Sequence, residues 1–256
     1  MRHTRQHLWS LVWVLAKTDF KLRYQGSVLG IIWALLKPLF LFVILNLVFS
    51  HLFASQTEHY SLQLLTGIFL WNFFAEATMG GLTSLMNKSH LLTKIAFPRW
   101  IIVVAASLQS LMTFLITIVI LFGACMIAGV TFQFWQLLMF AYYMLLLYIL
   151  VLGFSFFAAP FFLRFRDFNQ IWDVLLMGGF YAAPIIYPLA ALPVWLQPWL
   201  YLNPMTFLIE HAKDLLFAGN VSRLDHHLIY SAVVLAVFLF GYWFFRKFES
   251  RVVELL

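Results

Sequence analysis

The sequence predicts an all-α, polytopic membrane protein: six transmembrane helices with both termini in the cytoplasm. Composition is the first reason. Apolar residues make up 64% of the chain and charged residues 10%, against about 25% charged in ordinary soluble domains. The second is six long apolar stretches, at 29–52, 62–82, 101–128, 134–162, 171–187 and 228–245. Crossing a hydrocarbon core of about 30 Å takes about 20 apolar residues. Backbone groups in lipid must bond within the segment, so these stretches must be helices. A β-barrel would show short alternating strands instead. The third is charge. Thirteen of the sixteen Lys and Arg fall in alternate connections: the N-terminal arm, the loop after the second stretch, the loop after the fourth, and the C-terminal tail. Cations near span ends stay cytoplasmic, which sets both the count and the orientation. Spread over four segments, these charges are a poor match to a nucleic-acid surface.

Taken in order, the elements have distinct characters. Residues 8–24 form an amphipathic interface helix. Trp9, Trp13, Ala16, Phe20 and Tyr24 share one face, and Lys17, Asp19, Lys21 and Arg23 lie elsewhere around it; such a helix lies flat at a membrane surface. No small-residue cleavage site follows a short apolar core, so the first span is expected to stay as an anchor. Two ionisable residues sit within spans, Lys37 and Glu76. Each is costly at mid-membrane unless it snorkels, pairs or faces water. Residues 83–98 read as a short amphipathic helix ended by Pro98, with Leu85, Leu92 and Ile95 as apolar anchors and Lys88 and Lys94 as charges. That helix is either a solvated connector or a projection that seats in a groove of another protein.

Five prolines lie between 184 and 204, in a stretch that stays apolar and aromatic yet cannot be one straight helix. The fifth span is expected to end near Tyr187, followed by broken or re-entrant helices over 188–219. Pro188, Pro193, Trp195, Pro198 and Trp199 are the candidate outer-gate residues, because irregular backbone at membrane depth belongs where protein buries it or a wet cavity meets it. An interfacial aromatic belt is the alternative. Asn203-Pro204 starts a further helix as cap and first turn, and Gly219 ends it.

Several chemistries are disfavoured. The single cysteine, Cys125, lies in the third span and offers neither a disulfide nor a thiolate metal site. There is no HExxH, and Glu210, His211, Asp214, Asp225, His226 and His227 match no metal-ligand spacing. No catalytic residue and no metal site is expected. No glycine is followed by lysine, so the chain carries no phosphate-binding GK[ST] loop; if ATP drives this protein, the ATPase is a separate chain. Aromatic residues reach 19%. An aromatic wall can hold the apolar C–H faces of sugars without strong directional bonds, and Trp33, Phe40, Trp71, Phe74, Tyr181 and Tyr187 are the candidates for lining a conduit.

Three segments carry a family resemblance: YQGSVLGIIWALLKPL from Tyr24 to Leu39, LLTKIAFPR from Leu91 to Arg99, and NPMTFLIEHAKDLLFAG from Asn203 to Gly219. Together with the length and span pattern they resemble the membrane subunits of type-2 ABC exporters, in the branch that exports O-antigen, capsule or teichoic-acid glycans. The resemblance implies a homodimeric permease of the bacterial inner membrane, paired with two copies of an ATPase that binds ATP and Mg. It implies that 83–98 is a coupling helix docking on that ATPase through Ser89, Leu92, Lys94 and Phe97. The implied cargo is a glycan on polyprenyl pyrophosphate, whose anionic head would meet Arg23, Lys88 and Arg99. Export of a drug or lipid by the same family, an ATP-independent secondary transporter and an intramembrane enzyme stand as alternatives. The last two are disfavoured because no half-to-half repeat and no converging acid–base pair is evident.

Overall fold

The computed structural model describes residues 2–26, 29–55, 57–94, 97–221 and 223–249, with side chains from residue 8 onward. The arm cations Arg2 and Arg5 as side chains, Ile95 of the 83–98 loop and Arg251 of the tail lie outside the described residues.

Among the described residues ten α-helices follow one another: α1 Arg2–Tyr24, α2 Ile32–Phe53, α3 Tyr60–Asn87, α4 Ser89–Lys94, α5 Trp100–Ile127, α6 Phe134–Arg164, α7 Phe168–Ala182, α8 Gln197–Leu200, α9 Pro204–Lys213 and α10 Leu224–Phe248. By length and composition α2, α5, α6 and α10 are each able to cross a membrane. At 28 residues, α3 is about 42 Å long but carries more polar residues. At 15 residues, α7 reaches only about 22 Å.

The frame is α3 between α5 and α6, with α10 laid along α6. The α6–α10 crossing is close because Gly153 and Gly241 face each other. A Cβ at Gly153 would lie 2.7 Å from the Cα of Phe238. Two apolar clusters fill the bundle. One surrounds α3, α6, α9 and the segment after α7, with Leu64, Phe69, Tyr143 and Leu147 at its centre. The other gathers Val12 and Ala16 of α1, Leu92 of α4, Ile101 to Ala105 of α5, and Phe245 of α10. The first marks the proline-rich end of the bundle, the second its basic end.

Two sequence expectations shift here. The arm docks on the protein through Val12 and Ala16, while Trp9 and Trp13 remain exposed, because the smaller side chains let α1 approach α5 closely. The helix expected to run to Tyr187 ends at Ala182. Pro184 has no N–H for the carbonyl four residues back, so residues 183–187 leave the helix as non-helical chain, buried from 183 to 186. Beyond it come a 3₁₀ turn at Leu189–Ala191 and the single turn of α8. As expected, the Asn203 side chain caps α9 by accepting from the Met205 N–H. Gly219, at φ +66°, ends the π-turn that extends α9.

Candidate functional site

Two adjoining cavities open where α1 crosses α3 and α5, one of about 450 Å³ and one of about 590 Å³. They share Arg23, Glu76 and Ser110. Their walls follow from helical periodicity. On α3, Asn72, Glu76, Thr83 and Asn87 fall at steps of three, four or seven, so they line one stripe. On α5, Ser110, Thr113 and Thr117 do the same, with Gln109 beside them. The two polar stripes face each other across the cavities. Several of these groups satisfy themselves on their own helix: Asn72 donates to the Ile68 carbonyl at 2.9 Å, and Thr117 to the Phe114 carbonyl at 2.7 Å.

The charges are arranged in cross-element pairs. Arg23 at the end of α1 pairs with Glu76 of α3, and their side chains remain 38% and 32% exposed. Lys88, just past α3, pairs with Asp19 of α1. Tyr24 and Thr113 share a hydrogen bond of 3.2 Å. Lys37 projects from α2 into the second cavity, and among the described residues no carboxylate forms an ion pair with it. Of the three cations expected at an anionic head group, Arg23 and Lys88 border the first cavity. Arg99 is absent from both walls. Its guanidinium donates instead to the backbone carbonyl of Glu249, tying the end of α10 to the start of α5.

The expected conduit aromatics divide in two. Trp33 and Phe40 stand out from α2, 56% and 69% exposed, and Tyr181 is exposed on α7. Pro38 is the one fully buried residue among those of α2; one face of the helix, with Leu41, Phe42, Leu45 and Phe49, packs half-buried against the core and the other faces outward. Tyr187 is half-buried, its hydroxyl turned back onto α7. Trp71 and Phe74 are corrected: both are core residues, 6% and 7% exposed. The Trp71 indole lies over Gly179, where a Cβ would come within 2.7 Å of the ring. The notch left by that glycine draws the indole in between α3 and α7. Phe74 is held edge-on to Trp172, which stacks on Phe154 at 3.9 Å and donates to Thr78.

Among the four expected docking residues, Leu92 is likewise corrected. It is buried in the basic-end cluster, as it must be, since a six-residue helix is unstable without an anchor. Lys94 is exposed; Ser89 and Phe97 are half-buried. At the proline-rich end Pro193, Trp195, Pro198 and Trp199 are exposed and Pro188 half-buried. Gln197 laces this segment by donating to the carbonyls of Leu189 and Leu192 at 3.3 and 3.1 Å. No metal-ligand group occurs among the described residues. His211 and His227 pack instead with Tyr143, Phe207 and Tyr230; His211 stacks on Phe207 at 3.7 Å. Burial pushes the His211 pKa down to about 4, against the backbone hydrogen bond from its ring, so the imidazole is neutral.

The sequence reading missed Asp19, Asn72, Gln109, Ser110 and Thr113 as cavity residues. The signal was present, as polar residues spaced three or four apart inside apolar stretches.

The ABC-2 type transporter family profile matches residues 10–217. The chain belongs to the ABC-2 type transporter family. Two proteins of Klebsiella pneumoniae, each named O-antigen export system permease protein RfbA, are 26% identical over 260 and 259 residues, covering 100% of this chain and 98% of theirs. A Myxococcus xanthus protein of the same name is 26% identical over 221 residues, covering 86% of this chain and 85% of its own length. A member of the ABC-2 family is a transport subunit, and the apolar helices make this one a multi-pass membrane protein.

Proposed function

We propose that the chain is the transmembrane subunit of an ABC exporter that carries a lipid-linked, O-antigen-like polysaccharide across the bacterial inner membrane. The observation that carries this reading is end-to-end similarity to two permeases named for O-antigen export. In this reading all six predicted spans cross the bilayer, α3 and α7 included, and both termini are cytoplasmic. Two copies form the permease. The outward faces of α2 and α7, with Trp33, Phe40 and Tyr181, supply the face between them, and the glycan slides along that aromatic wall. The polyprenyl-pyrophosphate head enters at the polar cavities, attracted by Arg23, Lys37 and Lys88. Two copies of a separate ATPase bind ATP and Mg and drive the cycle by pressing on α4. Ser89, Lys94 and Phe97 form the docking face. Leu92 fastens that face to the bundle, so the push reaches α5 through the basic-end cluster. Pro188, Pro193, Trp195, Pro198 and Trp199 form the exit on the other side.

The test is export in cells. Replacing Lys94 with Glu while keeping Leu92 should abolish surface glycan, let the lipid-linked polymer accumulate inside, and leave the amount of chain in the membrane unchanged. Normal surface glycan in that variant removes the docking assignment. Normal surface glycan after deletion of the whole chain removes the proposed function.

A further inference from the structure

The non-helical segment after α7 should be a weak point, because its carbonyls have lost their helical partners. In a helix the carbonyl of Pro184 would accept from the N–H of residue 188, and residue 188 is a proline with no N–H. A buried carbonyl without a donor is costly. Yet every carbonyl from 181 to 186 is satisfied. The single Tyr187 O–H is shared between those of Tyr181 and Ala182, at 3.1 and 3.2 Å. The Ile185 N–H takes that of Ala183 at 2.7 Å. The Lys213 ammonium donates to those of Pro184 and Ile185. The Tyr60 hydroxyl takes that of Ile186 at 2.7 Å.

Lys213 stands out in this set. It is 5% exposed, and among the described residues no carboxylate forms an ion pair with it. An ammonium is among the most expensive groups to bury, and for filling space alone a methionine would serve better. Room for the Lys213 side chain is made by Gly67 on α3. A Cβ there would lie 3.4 Å from Cε of Lys213 and 3.2 Å from Cγ2 of Ile185. Three elements therefore meet at this ammonium: α9 supplies it, α3 supplies the notch, and the segment after α7 supplies the acceptors.

We propose that Lys213 is a positioning residue that pins the proline-rich outer segment shut against α3, and that releasing the segment requires water to reach the ammonium. The bonds form only when the chain bends as it does at 183–187. If the segment moves off α3, Lys213 loses both acceptors, so an open form is favoured only once solvent replaces them. The pin acts on the exit side of the transporter proposed above and rests on that reading for its role, though not for its existence.

The test uses single cysteines in the full chain with Cys125→Ala, in sealed vesicles treated with a membrane-impermeant maleimide. Cysteine at Ala183 is the reporter, and cysteine at Val151, deep in the same cluster, is the control. With Lys213 intact both should be protected. Lys213→Met should speed labelling at position 183 by about tenfold or more, the factor expected for losing hydrogen bonds from a charged donor. Position 151 should stay protected, and Lys213→Arg should restore most of the protection. Unchanged labelling at 183 overturns the pin, as does equal exposure of 151, which would mean general loosening. If Lys213→Met fails to insert, Tyr60→Phe removes a neighbouring donor with its packing intact. It should speed labelling at 183 by a smaller factor, and no change there overturns the proposal. Which face of the vesicle admits the reagent reports orientation separately, so an inverted topology would show as labelling from the cytoplasmic side without affecting the pin.

Discussion

The two ends of this molecule solve the same problem, polar groups inside an apolar bundle, in opposite ways. At the basic end charges are paired across elements, Arg23 with Glu76 and Lys88 with Asp19, beside cavities that leave the partners partly exposed. A partly exposed pair such as Arg23–Glu76 contributes little net stability. At the proline-rich end the polar groups are sealed in. Lys213 is enclosed among main-chain carbonyls, and His211 is held neutral within an aromatic stack. Burial also pushes the Glu210 carboxyl up to about 7, an effect only partly offset by the nearby Lys213 charge. The difference fits the proposed direction of travel: an anionic head needs replaceable partners where it enters, and the exit has to stay dry until it is forced.

Substitutions can sharpen that contrast, each read as the unfolding midpoint in detergent. The largest loss is expected at the sealed end. Leu208→Ala, at a side chain of α9 with no exposure, should lower stability by about 2–5 kcal/mol. Next comes the frame common to both ends: Gly153→Ala drives a methyl into the backbone of α10 and should cost about 1–3 kcal/mol. Asn203→Ala removes the cap of α9 and should cost about 1 kcal/mol. The smallest change is expected at the wet end. Glu76→Gln, which breaks a pair about a third exposed, should cost less than about 1 kcal/mol, while making Arg23 more reactive to an arginine-directed reagent. If Glu76→Gln unfolded the protein as severely as Leu208→Ala, the contrast between the ends would be lost.

Much of this was legible in the sequence because it depends on local rules. Long apolar stretches placed α2, α5, α6 and α10; Asn203-Pro204 and Gly219 placed both ends of the helix that seats Lys213. What was not legible depends on contacts between distant residues. Arg23 and Glu76 lie 53 positions apart, Lys88 and Asp19 69 positions, and Lys213 and Pro184 29. No periodicity within one segment reveals such partners, nor the Glu249 carbonyl that holds Arg99, so the three cations expected at a head group, Arg23, Lys88 and Arg99, each have a partner within the chain. Trp71 illustrates the same limit: its place in the core depends on a glycine notch more than a hundred residues away. The end of α7 was misjudged because Pro184 was read as lying inside the span, whereas the helix stops before it.

The central claim is that this chain is a passive transmembrane half whose energy comes from another subunit. The most direct measurement places the purified chain in sealed proteoliposomes containing a polyprenyl-pyrophosphate-linked glycan and follows lectin-accessible glycan inside and out, with and without the partner ATPase and MgATP. Glycan should cross only when the ATPase and MgATP are both present. Movement of glycan, or hydrolysis of ATP, by the chain alone would contradict the account.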